Sequence, residues 1–285
     1  MRQLFIAKYC SFIWLQKSMR LLFLSLALTT SFFSVASDSN IDPDLENPDE
    51  SKPLKVAVAA NFGHALKQIA EQFTQQTNIP VSITIGATGG LYQQIRHGAP
   101  FDVFLAANAL HPQLLQKNGF IIEHSLQPYA IGQLAFFATD NAYTWDNLPN
   151  TYQQYGKFAI ANPTHAPYGK AAKQLLTNIG LWSVLTPKLV QGNNVAQSYQ
   201  FIRAQAASAG LVANSFLIEH QQDSTANLVP QHLYDPIEQY MLVLKSSKQA
   251  KAAKTFQQFL LSDAIQEKIS KMGYYPVNRP LNSKH

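Results

Sequence analysis

Short apolar runs alternate with helical segments along most of the chain, and this alternation constrains the fold more than any other sequence feature. The run 54–60 is followed by apolar residues at helical spacing from Phe62 to Phe73. The same order continues with strands predicted at 81–85 and 101–106 and with helices after each. Because strands that alternate with helices form βαβ units, we predict an α/β fold around mostly parallel sheets.

A second β/α series follows a longer strand predicted at 128–139. Its strands are predicted at 158–161, 188–191 and 210–213, a further strand lies at 239–244, and helices at 248–261 and 263–271 end the pattern. Two series joined by long strands predict two lobes with mixed sheets and a cleft between them. We assign 53–129 to the first lobe, 130–237 to the second and 238–285 to a return segment of the first. The hinge is expected near 128–131 and 235–239.

The first 36 residues have the composition of a secretory signal peptide. Four basic residues precede the uncharged run 21–35, and Ser34-Val35-Ala36 forms a small-x-small cleavage signal. We predict cleavage after Ala36 or Ser37, with Met19 as an alternative start. An uncleaved membrane anchor is the alternative, but the run is shorter than the roughly 20 residues that a membrane span needs. Residues 37–52 carry six acidic residues and no aromatic one, which predicts an acidic disordered spacer.

The cysteine count and the charge distribution exclude several classes of protein. The single cysteine, Cys10, lies in the predicted leader, so a disulfide scaffold and a multi-cysteine zinc site are excluded. The net charge is +5, yet no Asp or Glu occurs between Asp146 and Glu219. A weakly basic body with an acid-free middle favours an anionic ligand.

The residues that follow the predicted strands are small or polar. They are Asn61, the segment Ala87-Thr88-Gly89-Gly90, the segment 162–169, the segment 192–195 and Asn214. Ligands of open α/β sheets bind beyond the carboxyl ends of the strands. Backbone N–H groups at the following helix N-termini can bind an anion there, although each such residue alone is an ordinary helix cap.

Catalytic and cofactor motifs are scarce. Gly86–Gly90 lacks the Gly-Lys-Ser/Thr ending of a phosphate-binding loop and does not fit a dinucleotide fingerprint. The eight histidines form no H-x-x-x-H pair, and no G-x-S-x-G elbow is present. His165 stands in a strand-end loop, where it is either a polar loop residue or a ligand contact. We therefore predict no enzyme, no catalytic residue, no cofactor and no metal-cation site.

Four segments resemble the periplasmic molybdate-binding proteins of ABC transporters, and the resemblance runs from about Leu54 to Pro276. The segments are Val58-Ala59-Ala60-Asn61-Phe62, Gly89-Gly90-Leu91-Tyr92-Gln93-Gln94-Ile95, 98–107 with its Gly-Ala-Pro-Phe-Asp-Val-Phe motif, and 162–172 with its Asn-Pro-Thr-His-Ala-Pro-Tyr-Gly motif. The resemblance implies a class II two-lobed periplasmic-binding-protein fold. It also implies capture of molybdate or tungstate between the lobes and delivery to an ABC permease and its ATPase by a periplasmic monomer that binds no nucleic acid.

The resemblance also implies the oxyanion-binding residues. Asn61 stands where many members have Ser, and Thr88 stands at a second hydroxyl position. Tyr168 and Val195 stand at backbone N–H positions. Many members donate a Tyr hydroxyl where this chain has Ala213. That contact is either lost or replaced by Asn61, Asn214 or the Tyr168 ring.

Three other functions remain as alternatives. A binding protein for sulfate, phosphate or an organic anion would have the same fold. A secreted phosphoesterase would use His64, Asp102 and His165. A sensor or partner-binding module would bind the anion without transport.

Overall fold

The computed structural model describes residues 52–221 and 227–278. The predicted signal peptide and all but the last residue of the predicted acidic spacer lie outside the described residues. Along the described residues, no helix is both long enough and apolar enough to cross a membrane.

The elements alternate as the sequence pattern predicts. The strands are β1 Leu54–Ala59, β2 Val81–Gly86, β3 Val103–Ala106, β4 Gln127–Gly132, β5 Leu134–Ala138, β6 Phe158–Ala161, β7 Leu189–Gly192, β8 Ala209–Ala213, β9 Ile237–Val243 and β10 Tyr274–Tyr275. The helices are α1 Gly63–Thr77, α2 Thr88–Arg96, α3 Leu110–Lys117, α4 Leu148–Thr151, α5 Pro167–Asn178, α6 Trp182–Leu185, α7 Val195–Arg203, α8 Asn214–Glu219, α9 Ala250–Leu261 and α10 Asp263–Lys271. A 3-10 turn, Ala60–Phe62, joins β1 to α1.

The first sheet has six strands in the order β10-β4-β9-β3-β1-β2. Strand β1 is parallel to β2 and β3, whereas β9 is antiparallel to β3 and β4. Both faces are covered: Val56 and Val58 pack with α1 and α9, and Ala57 packs on the opposite face with α2. We call this sheet and its helices lobe 1.

The second sheet has four strands in the order β5-β8-β6-β7. Strand β6 is parallel to β7 and β8, and β5 is antiparallel to β8. Its own hydrophobic core includes Phe136, Phe158, Leu175 and Ile202. We call this sheet and its helices lobe 2.

The prediction of a single long strand at 128–139 is wrong, because two separate strands occupy these residues. The chain forms β4 in lobe 1, leaves that sheet at Gln133 and forms β5 in lobe 2. The backbone carbonyl of Gln133 accepts from the Asn214 N–H at 2.9 Å instead of pairing within either sheet. The apolar pattern does not show the break because both strands are almost entirely buried.

The two-residue strand β10 is too short for a sequence pattern and was not predicted. Tyr274 and Tyr275 pair antiparallel with Gly132 and Ile131. This pairing places the Tyr274 ring in the core of lobe 1, 5.1 Å from the Phe62 ring. The end of the described chain is thereby attached to the strand that crosses between the lobes.

Candidate binding site

Four helix N-termini meet at one small pocket between the lobes. Lobe 1 contributes the 3-10 turn that leads into α1 and the start of α2, and lobe 2 contributes the starts of α5 and α7. The lining residues are Ala59, Ala60, Asn61, Gly86, Ala87, Thr88, Ala107, His165, Ala166, Pro167, Tyr168, Asn194 and Val195. The structure thus brings together all four predicted binding residues, Asn61, Thr88, Tyr168 and Val195.

The pocket is too small for an extended organic ligand. Its cavity volume is about 20 Å³, whereas pockets for drug-sized ligands hold roughly 300–1,000 Å³. A compact group of a few atoms is the class of ligand that such a space admits.

No Asp, Glu, Lys or Arg lines the pocket. The first turns of the four helices also contain no acidic residue. Each helix N-terminus carries a partial positive charge from unpaired N–H groups and the helix dipole, roughly half an elementary charge in the limit. The pocket therefore attracts an anion without a positively charged side chain.

Three of the four N-cap positions are alanines, where polar caps are usual. Ala59, Ala87 and Ala166 precede the 3-10 turn, α2 and α5, and none of these elements has a side-chain cap. An alanine cap costs a helix about 1 kcal/mol relative to Ser, Thr, Asp or Asn. The uncapped N–H groups are available to a ligand instead.

The fourth N-terminus is capped by a side chain in the ordinary way. Asn194 Oδ1 accepts from the Gln197 N–H at 3.0 Å. This bond occupies the third N–H group of α7 and leaves those of Val195 and Ala196 without a side-chain cap. The predicted role of the Val195 N–H fits this geometry.

Thr88 is placed to donate its hydroxyl proton. Thr88 Oγ1 accepts from the Ala107 N–H at 3.1 Å, and the residue is 4% exposed. The bond to Ala107 fixes the hydroxyl oxygen, and a threonine hydroxyl carries one further proton that it can donate.

The Asn61 carboxamide has partners of its own. Its Nδ2 donates to Gln239 Oε1 at 2.9 Å and, in a long contact, to Tyr168 Oη at 3.5 Å. Both contacts use the amide nitrogen, so the Asn61 side chain is engaged by neighbouring residues and the backbone N–H is its other donor. Sequence reasoning missed this orientation because Gln239 is 178 residues away in the chain.

Tyr168 is buried with its backbone at the pocket and its hydroxyl near Gly132, where an added Cβ would overlap the phenol oxygen. Burial raises the pKa of the Tyr168 phenol well above its usual range, and the neighbouring Tyr274 adds to the shift. The phenol therefore stays neutral at physiological pH.

The close approach of α5 to the end of β6 requires glycine. A Cβ on Gly169 would overlap the backbone of Ala161 and Asn162. This contact brings the α5 N-terminus down to the edge of the sheet where the pocket lies.

Asn214 lies outside the pocket lining. Its Nδ2 donates to Gln133 Oε1 at 2.7 Å, and its backbone N–H donates to the Gln133 carbonyl. Asn214 thus holds the crossing segment, and this geometry does not support the suggestion that Asn214 replaces the missing tyrosine hydroxyl.

The three residues considered for phosphoesterase chemistry do not converge. His165 is exposed at the pocket rim, and His64 lines a separate cavity. Both carboxylate oxygens of Asp102 have structural partners, the Lys55 N–H at 2.8 Å and the Ser247 hydroxyl at 2.7 Å. Within residues 52–221 and 227–278, no group of three or more metal-ligating side chains is assembled either.

A larger groove of about 280 Å³ adjoins the pocket. It shares Ala107, His165, Ala166 and Pro167 with the pocket and continues between α3 and the segment 235–238. Burial lowers the pKa of His111 in its wall.

Two α/β lobes with a small pocket between them are the architecture of a solute-binding protein. The chain belongs to the family described as bacterial extracellular solute-binding protein, whose family profile matches residues 54–275. The predicted two-lobed periplasmic-binding-protein fold is confirmed.

Named relatives agree with the resemblance seen in the sequence. The molybdate-binding protein ModA of Rhodobacter capsulatus is 38% identical over 218 residues, covering 76% of this chain and 86% of the relative. ModA of Azotobacter vinelandii is 37% identical over 231 residues, covering 79% and 90%. The solved structure of the Azotobacter vinelandii periplasmic molybdate-binding protein has a TM-score of 0.72 at 34% identity, covering 78% of this chain and 98% of that chain. These relatives are binding proteins and not enzymes, which agrees with the prediction that this chain has no catalytic activity.

Proposed function

We propose that this protein captures molybdate or tungstate between its lobes and delivers the ion to an ABC importer. The observation that carries the proposal is the convergence of four helix N-termini, three of them without a side-chain cap, on one pocket that lacks charged side chains. The named molybdate-binding relatives support the same ligand class.

The ligand contacts that we propose follow from the donors at the pocket. Thr88 donates its hydroxyl, while Asn61, Tyr168 and Val195 donate backbone N–H groups. Charge-assisted hydrogen bonds of this kind contribute about 1.5–3 kcal/mol each. No cofactor is needed for binding, and molybdenum enters as the oxyanion and not as a cation.

Binding of sulfate or phosphate is the alternative, and two properties of the pocket disfavour it. Sulfate is smaller than molybdate, so it would leave some buried N–H donors unpaired, at a cost of about 1–3 kcal/mol each. Phosphate retains a proton near neutral pH, and no carboxylate lines the pocket to accept it.

The remaining assignments follow from the family. We propose a periplasmic monomer that carries a cleaved signal peptide and works with an ABC permease and its ATPase. The division into lobes at 53–129, 130–237 and 238–285 stays a prediction, and so does the hinge near 128–131 and 235–239. Both strands that cross between the lobes, β4 and β9, lie side by side in lobe 1, which supports a hinge at their ends.

Thermal shift tests the proposal. A ligand present at 100 times its Kd stabilises the native state by about 2.7 kcal/mol. Molybdate and tungstate should therefore raise Tm, and sulfate and phosphate at the same concentration should raise it less. No shift with molybdate or tungstate at millimolar concentration would reject the proposed ligand.

A further inference from the structure

A buried cluster of polar side chains lies behind the ligand pocket. We define the Asn61 cluster as Asn61, Tyr129, Tyr168, Ser215, Gln239 and Tyr274. All six residues are buried, and Gln239 is 0% exposed. Tyr129, Gln239 and Tyr274 come from β4, β9 and β10 of lobe 1, whereas Tyr168 and Ser215 come from α5 and α8 of lobe 2.

Two short hydrogen bonds fix Asn61 within lobe 1. Its Nδ2 donates to Gln239 Oε1 at 2.9 Å, and its backbone carbonyl accepts from Tyr274 Oη at 2.6 Å. Gln239 Oε1 also accepts from Tyr129 Oη at 2.9 Å, so the orientation of the Gln239 carboxamide is set from a second side. The Asn61 side chain is thereby oriented before lobe 2 contributes any contact.

Two longer hydrogen bonds join Asn61 to lobe 2. Tyr168 Oη accepts from Asn61 Nδ2 at 3.5 Å, and Ser215 Oγ donates to the Asn61 carbonyl at 3.3 Å. Long hydrogen bonds are weak, so they can break and re-form as the lobes separate and meet. Asn61 thus has a rigid attachment to one lobe and a loose attachment to the other.

Tyr168 connects this cluster to the ligand pocket. Its backbone stands in the first turn of α5 at the pocket, and its hydroxyl reaches the Asn61 cluster. A ligand that draws the α5 N-terminus toward lobe 1 would bring the Tyr168 hydroxyl onto Asn61 in the same movement.

We propose that Asn61 is a positioning residue whose side chain holds the two lobes together, and we call this contact the latch. Gln239 orients the Asn61 carboxamide toward the Tyr168 hydroxyl. The anion is bound by backbone groups, while the Asn61 carboxamide and the Tyr168 hydroxyl set the balance between open and closed lobes. The inference rests on the proposed function in one respect, namely that the lobes open and close around a ligand.

The buried Gln239 amide adds a second observation at the same place. Gln239 Nε2 has no hydrogen-bond partner among the described residues, although it is fully buried. A native protein rarely leaves a buried amide donor unsatisfied. The part of Gln239 that serves the latch is its oxygen Oε1, which accepts hydrogen bonds from both Asn61 and Tyr129.

Spin labels that report the distance between the lobes test the latch. Gln116 on α3 and Gln200 on α7 are exposed and lie in different lobes. They can be changed to cysteine and labelled in the mature protein, because the single native cysteine, Cys10, lies in the predicted leader. The latch variants are Tyr168→Phe, which keeps the backbone donor, and Gln239→Leu, which removes the acceptor. Gln239→Glu keeps an acceptor, and Tyr155→Phe removes a buried hydroxyl inside lobe 2 as the matched control.

Without ligand, we expect Tyr168→Phe and Gln239→Leu to shift the distance distribution toward the open form, while Gln239→Glu and Tyr155→Phe do not. Molybdate and tungstate should dissociate from both latch variants about 2- to 10-fold faster than from wild type, which is the effect of losing one hydrogen bond. The ratio of the two affinities should stay unchanged, because the pocket donors are intact.

An unchanged distance distribution in both latch variants would overturn the inference. So would a changed molybdate-to-tungstate ratio, since it would make the side chains direct ligand donors. If wild-type protein binds neither ion, the proposed ligand fails, and the ligand-free distances still decide whether the latch exists.

Discussion

Thr88 offers the sharpest single-residue test of the proposed site. The substitution Thr88→Ala removes the one side-chain hydroxyl that we assign to the ligand. The side chain is buried, and its oxygen already accepts from the Ala107 N–H at 3.1 Å. The hydroxyl proton is therefore the part of Thr88 that remains for an anion.

The expected loss of affinity follows from the charge of the ligand. Losing a buried hydrogen bond to a charged group costs about 1–3 kcal/mol, which raises Kd about 5- to 150-fold. The same substitution leaves the Ala107 N–H without its acceptor, so the free energy of unfolding should also fall by about 1–3 kcal/mol. The two effects have different causes and need separate measurements.

Calorimetric titration with molybdate measures the first effect, and urea unfolding without ligand measures the second. Thr88→Ser is the matched control, because serine retains the hydroxyl in a smaller side chain and should bind within a few-fold of wild type. Unchanged molybdate affinity in a folded Thr88→Ala protein would remove Thr88 from the site. An equal loss in Thr88→Ser would show that packing of the methyl group, and not the hydroxyl, is responsible.

Three further predictions follow from the site and its supports. Ala87→Asp supplies a side-chain cap to α2, so it should raise the free energy of unfolding without ligand by about 0.5–2 kcal/mol. The same cap should weaken molybdate binding at least about tenfold. Urea unfolding and calorimetric titration measure the two effects, and tighter molybdate binding would contradict the role of the uncapped helices. Gly169→Ala forces a Cβ against Ala161 and Asn162, so urea unfolding should show a loss of about 1–3 kcal/mol. Gly90→Ala, at an open position in α2 without a positive φ, is the matched control and should cause no loss, because alanine favours the helix. Equal losses would contradict the close packing. Burial raises the pKa of the Tyr168 and Tyr129 phenols, so the folded state disfavours their ionisation. The stability that these neutral phenols contribute should be fully present below the ordinary tyrosine pKa of about 10 and should fall as pH rises above it. Urea midpoints from pH 8 to 11 measure this, and a flat profile would argue against the burial of these groups.

The strand-and-helix order could be predicted because both lobes use regular β/α units with apolar strands. The break at Gln133 could not be predicted, since the residues on either side are buried on both faces and give one continuous apolar run. What divides the run is the pairing of Gln133 with Asn214, which is 81 residues away. Patterns within a short window carry no information about such a partner.

The binding site shows the same division between local and long-range information. Asn61, Thr88, Tyr168 and Val195 follow strands directly, so their meeting at one edge is a consequence of α/β topology. Rules for helix caps look for polar residues and therefore do not identify Ala59 and Ala166 as N-cap positions, although the absent caps make the N–H groups available. The orientation of Asn61 depends on β9, which no local pattern relates to β1.

Calorimetric titration of the purified protein with molybdate, tungstate, sulfate and phosphate tests the central claim most directly. We expect one molybdate or tungstate per chain, with sulfate and phosphate at least about tenfold weaker, the equivalent of one unpaired buried donor. Absence of molybdate and tungstate binding, or tighter binding of sulfate, would contradict capture of these oxyanions by neutral helix N-termini.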